Sequence, residues 1–161
     1  MNNLKRNCDN INVIFLYGPN LGLVDLLYKE CLEILKIDVN DPFSVSKIDG
    51  NQFKETPSIL QDNISTLSMF TDKRFILLDL IHVSINKNIE NIILDAVKEI
   101  NCNYLLIIKA ENLKQNSLVK YFQNCKKSNL VPCYEENSNN IFSEIKILFK
   151  KHNLFFKDEF I

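Results

Sequence analysis

The chain has three glycines in 161 residues, two histidines, two methionines and only two arginines. Each shortage excludes something. The dinucleotide fingerprint G-x-G-x-x-G needs three glycines in six positions, and Gly18 and Gly22 are the only pair close together. His82 and His152 stand in no H-E-x-x-H pattern, so no helix-borne zinc site is written here. The five cysteines, at 8, 31, 102, 125 and 133, form no C-x-x-C pair, and several fall inside apolar patterns. They read as reduced core thiols, with metal and nucleophile roles unsupported. No charge of one sign predominates: 19 basic residues face 20 acidic ones. That balance lacks the footprint of a protein that grips phosphate backbones by itself. No apolar run reaches the length of a membrane span, and the first ten residues are too polar for a signal peptide. A single domain inside the cell, touching no membrane, is the expectation.

The chain does have a strand, a glycine turn and a helix, in that order, from Ile11 to Leu35. Val13-Ile14-Phe15-Leu16-Tyr17 suits a strand buried on both faces. Gly18-Pro19-Asn20 turns the chain, and Leu23, Leu27, Cys31, Ile34 and Leu35 then recur at helical spacing. Nucleotide-binding proteins keep their phosphate loop at this place. A working loop reads G-x-x-x-x-G-K-[ST]. Counted from Gly18, the second glycine has slipped to Gly22, Val24 stands for the lysine and Asp25 for the magnesium-binding hydroxyl. A carboxylate repels an incoming phosphate, and valine supplies no charge against it. Gly18, Gly22, Val24 and Asp25 therefore mark a degenerate loop kept for packing, with no bound cofactor and no metal expected.

Further along, Ser44–Ile48 reads as a short strand stopped by Asp49-Gly50, and Thr56-Pro57 as a helix start with a hydroxyl cap. Leu60, Ile64 and Leu67 give that helix its apolar side. Phe75-Ile76-Leu77-Leu78 is a third buried strand. Asp79 ends it where an ATPase holds magnesium, but Leu80 replaces the usual glutamate. Ile89, Ile92, Ile93, Ala96, Val97 and Ile100 spell an amphipathic helix. Tyr104–Ile108 makes a fourth strand, Leu118–Cys125 a helix, and Leu130–Cys133 a fifth strand that Pro132 assigns to a sheet edge. A last helix is expected over roughly Asn139–Lys151. The fold class is α/β, a mostly parallel five-stranded sheet with helices on both faces. An ATPase-like framework carries none of the charge machinery of one.

The stretches Phe15–Asn20 with Gly22-Leu23-Val24, Asp41-Pro42-Phe43 running to Ile48-Asp49-Gly50, Ser68-Met69-Phe70 ahead of Lys73-Arg74, and Tyr104–Ile108 followed by Ala110-Glu111-Asn112-Leu113 resemble, in order and spacing, the N-terminal domain of the delta subunit of bacterial DNA polymerase III. The resemblance covers residues 12 to 152 or so. It implies a P-loop NTPase/AAA+-like domain with a degenerate nucleotide site over 11–152, after a polar lead-in at 1–10 and before the truncated start of a second helical domain at 153–161. It also implies a clamp-loader subunit at the replisome, not catalytic by itself within the polymerase holoenzyme. Such a subunit binds the beta sliding clamp and helps open it. It assembles with the gamma/tau and delta-prime subunits, which supply ATP hydrolysis, and meets primed DNA only through the assembled loader. By resemblance the clamp-binding residues are Met69 and Phe70, flanked by Leu67 and Ser68, with methionine where the family has leucine. Read locally, Leu67–Thr71 is either an apolar plug for a partner's pocket or core residues closing a helix-to-strand turn. The competing function is an active nucleotide hydrolase or kinase with an atypical phosphate loop, opposed by Val24, Asp25 and Leu80.

Overall fold

The computed structural model describes residues 11–65, 73–101, 103–113 and 117–134. Ten elements follow in order: β1 (Val13–Tyr17), α1 (Leu21–Ile34), β2 (Val45–Ile48), α2 (Gly50–Glu55), α3 (Ile59–Ser65), β3 (Arg74–Leu80), α4 (Lys87–Glu99), β4 (Tyr104–Ala110), α5 (Ser117–Asn124) and β5 (Ser128–Pro132). The five strands form one sheet in the order β2-β3-β4-β1-β5, and all four pairings are parallel. Parallel neighbours cannot be joined by a tight turn, so helices connect them and cover the sheet.

The alternation of side chains along each strand divides the core in two. Val13, Phe15 and Tyr17 of β1, with Ile76, Leu78 and Leu80 of β3 and Leu106 and Ile108 of β4, face one way. They meet Phe53 of α2, Leu60 and Ile64 of α3, Ile93, Ala96 and Val97 of α4, and Leu118 and Phe122 of α5. Ile14, Leu16, Leu77, Leu105 and Ile107 face the other way and meet Val24 and Cys31 of α1, with Ile37 beyond it. β1 and the first five residues of β4 are buried throughout, as continuous apolar runs require. β5, by contrast, is half-exposed and lies at the sheet edge where Pro132 placed it.

Two expectations need correcting. Asp49-Gly50 does not simply stop β2; it opens α2. The Asp49 carboxylate accepts from the N–H groups of Asn51 and Gln52, both at 2.9 Å, which is the work of an N-cap. Thr56-Pro57 leads into α3 through one tight turn, the Ile59 N–H bonded to the Thr56 carbonyl at 3.0 Å, so the helix starts two residues later than expected. The Thr56 N–H meanwhile closes α2 on the Gln52 carbonyl at 2.9 Å, and the Asp62 N–H bonds the Ser58 carbonyl at 2.9 Å. A six-residue helix with one buried apolar residue, Phe53, gives no periodicity to read. The expected helix at 139–151, the lead-in at 1–10 and the segment 153–161 lie outside the described residues. Among the described residues no helix is long and apolar enough to cross a membrane.

Candidate functional site

In a parallel α/β sheet the strands all end on one side, and the loops gathered there form the place to look for a site. Here that side carries Gly18–Asn20 after β1, Asp79 near the end of β3 and Lys109 near the end of β4. The loop comes first. Gly18 has φ 154°, and a Cβ placed on it would stand 2.0 Å from the carbonyl oxygen of Cys133. Only glycine fits. The close approach is locked by backbone bonds, from the Cys133 N–H to the Tyr17 carbonyl at 2.7 Å and from the Asn20 N–H to the Cys133 carbonyl at 3.2 Å. Asn20 caps α1, its side chain accepting from the Leu23 N–H at 3.0 Å.

A phosphate loop works by aiming free N–H groups inward at the anion. Here most of these groups are bonded within the fold. The Gly18 N–H bonds the Ala110 carbonyl at 3.4 Å, Leu21 bonds Pro19 at 3.1 Å, and Val24 bonds the Asn20 carbonyl at 3.0 Å. Asn20 and Leu23 are committed as above, and Pro19 has no N–H to give. Val24 is fully buried in the α1 face of the core, so the lysine position points away from any phosphate. Gly22 is exposed on the first turn of α1. Leu80, in the glutamate position, is also core.

Asp25 and Asp79 do not stand idle. Lys109 Nζ lies 3.0 Å from Asp25 Oδ1 and 2.8 Å from Asp79 Oδ2, and 4.8 Å above the centre of the Tyr28 ring. The lysine side chain is only 13% exposed. The other Asp79 oxygen accepts from the Ile81 N–H at 3.0 Å. Burial works against the Lys109 ammonium, but the hydrogen bonds to Asp79 and then Asp25 outweigh it and hold its pKa above the ordinary lysine range. Burial likewise raises the Tyr28 phenol, partly offset by Lys109. A cleft of about 190 Å³ opens beside this cluster, lined by Tyr28, Lys47, Ile48, Asp49, Asp79 and Lys109 among others.

The structure thus brings together Asp25, on the helix after the β1 loop, and the strand-end Asp79, and adds a residue that sequence reasoning missed. The signal for Lys109 was faint: a charge near the end of an otherwise apolar strand, directly opposite Asp79 in the β3–β4 register. His82 is a surface residue, its Nδ1 2.7 Å from Glu111 Oε1, with the imidazole 80% and the carboxylate side chain 46% exposed. Such a pair contributes little. Cys31 and Cys133 are buried thiols and Cys125 is half-buried. No cluster of three or more metal-ligating side chains occurs among the described residues.

Leu67, Ser68, Met69 and Phe70 lie outside the described residues. Their flanks are placed: α3 ends at Ser65, and Arg74 starts β3 at the side where strands begin, opposite the loop.

No protein-family model matches the sequence, and no curated protein does. A solved structure, the Bacillus subtilis DNA clamp loader delta protein (YqeN), is similar over 88% of this chain with a TM-score of 0.64 at 15% sequence identity. The chain spans 43% of that structure's length. At such identity the likeness is one of fold, and the fold it shows is a clamp-loader-like α/β domain.

Proposed function

We propose that this chain is the clamp-gripping module of a bacterial clamp loader, a delta-subunit-like AAA+ domain that works without binding nucleotide. The observation that carries the reading is the fold likeness to a clamp loader delta protein, and the order of motifs in the sequence supports it independently. The bonding of the loop and the Lys109 cluster support the second half, since Pro19 has no N–H, Val24 is buried where the lysine would stand, and the Lys109 ammonium is held by Asp25 and Asp79. In this reading Met69 and Phe70, after Ser68, enter a hydrophobic pocket on the beta sliding clamp. Clamp opening is then driven by binding, and ATP is hydrolysed by gamma/tau subunits in the same assembly. Primed DNA is met only there.

The test combines clamp capture with melting. Purified chain should retain a bacterial sliding clamp, and Met69→Ala/Phe70→Ala should weaken that binding by about thirtyfold or more while leaving the melting temperature in place. A large fall in melting temperature would put the two residues in the core instead, at about 2–5 kcal/mol each. Normal capture by a folded double variant would remove them as the contact. Titration with ATP and ADP should show no saturable site tighter than roughly 100 μM, an affinity of about 5.5 kcal/mol.

A further inference from the structure

In phosphate-loop proteins magnesium is held by the loop's hydroxyl residue and by the aspartate ending a later buried strand. Asp25 and Asp79 occupy those two positions here. The oxygens that would face the ion each touch one atom, the Lys109 ammonium nitrogen, at 3.0 and 2.8 Å. These residues do not fit a magnesium nucleotide: the ion's place is filled by a side chain of the protein itself. We propose that Lys109 is a tethered cation standing where the metal would be. It fixes α1 against β3 and β4 permanently, as a bound metal and nucleotide would do only transiently. The proposal is independent of clamp binding.

Three observations separate this from an ordinary surface ion pair. The Lys109 side chain is 13% exposed, against 60% for Lys98, which pairs with Asp95 along α4 at 2.8 Å, although the carboxylates of Asp25 and Asp79 are themselves 53% and 41% exposed. Its strand lies inside the sheet, flanked by β1 and β3. Its two carboxylates come from different elements, and a third contact, the face of Tyr28, comes from α1 again. The cluster therefore joins a helix to two strands through one nitrogen. The two carboxylate oxygens lie no more than about 5.8 Å apart. A divalent ion with oxygen ligands at about 2.3–2.6 Å spans nearly the same gap.

That equivalence supplies the test. Melting is followed for the parent chain, Lys109→Met, and Lys109→Met/Asp79→Asn, each in EDTA, in 5 mM (about the usual excess over weak oxygen-ligand sites) calcium or manganese chloride, and in sodium chloride of equal ionic strength. The parent should melt alike in all three. Lys109→Met should melt on the order of 5 °C lower in EDTA, regain at least half of that with a divalent ion and not with sodium, and lose the recovery when Asp79→Asn is added. The proposal is overturned if Lys109→Met melts like the parent in EDTA, if divalent ions raise the parent as much as the variant, or if recovery survives Asp79→Asn. Should Lys109→Met fail to fold in EDTA, folding in calcium supports the proposal and failure in both overturns it.

Discussion

Among the described residues, one face of the sheet lies under four helices, α2 to α5, and the other under one, α1. The crowded face is filled with rings: Phe15 packs edge-on against Phe122 at 5.1 Å and tilts against Tyr17 at 5.5 Å, and Phe53 is fully buried in the same cluster. The other face has Val24, Cys31 and Ile37 over aliphatic strand residues, and at its rim the charged cluster of Lys109. The difference teaches how each is held. Large apolar area secures α2 to α5, while α1 combines a thinner apolar contact with a charge that ties it to two strands.

The most direct way to break the comparison is to cut each face at one residue. Phe122→Ala should cost about 3–5 kcal/mol, read as a fall in melting temperature of roughly 10 °C, whereas Val24→Ala should cost about 1.5–3 kcal/mol. Equal losses would mean that the single-helix face carries as much of the fold as the four-helix face. Gly18→Ala strikes both faces together, because the added Cβ would push away Cys133 and with it β5, which carries Leu130 to one face and Val131 to the other. Backbone strain and separation should amount to about 3 kcal/mol in denaturant melts; a cost under about 1 kcal/mol would show that β5 moves away freely.

A subtler test uses pH. Because its partners hold Lys109 above the ordinary lysine range, its contribution is complete below the free lysine's pKa of about 10.4 and disappears as pH rises through the raised value. The melting gap between parent and Lys109→Met should thus stay constant from about pH 7 to 9. A gap that shrinks across this window would mean that the charge is not held. The smallest effect is chemical. Burial pushes the Cys133 thiol up to about 11, so alkylation at pH 8 should run about a hundredfold or more slower than at Cys125, as read by mass spectrometry of native protein. Rapid labelling of Cys133 would show that the single-helix face opens readily.

The sequence announces the elements that bury most. β1 and β4 are apolar at nearly every position, and α4 repeats isoleucine, alanine and valine at helical spacing, so burial and periodicity alone give their type. α2 escapes because Gly50-Asn51-Gln52-Phe53-Lys54-Glu55 owes its helix to the Asp49 cap and to one anchor, Phe53, rather than to a pattern. That Val24 and Asp25 depart from a phosphate-loop pattern is legible residue by residue. Where Asp25 finds its partner is not. Lys109 follows Asp25 by 84 positions, and only strand order and register bring them together. Pairings of that range are properties of the sheet and leave no local trace.

The same register has a consequence for synthesis. Val13 pairs with Leu106 on one side and Ser128 on the other, so β1 leaves the ribosome about 90 residues ahead of its first partner strand. At about 5–20 residues per second, that is a wait of roughly 5 to 20 s. During it β2 and β3 can pair with each other, and α1 can shelter one side of β1, but the side bearing Phe15 and Tyr17 has nothing permanent to meet. Nascent chains of this protein should accordingly need chaperone protection most in the interval before residue 110 emerges. Of the described strands, the one buried at every position is the one that spends longest unaccompanied.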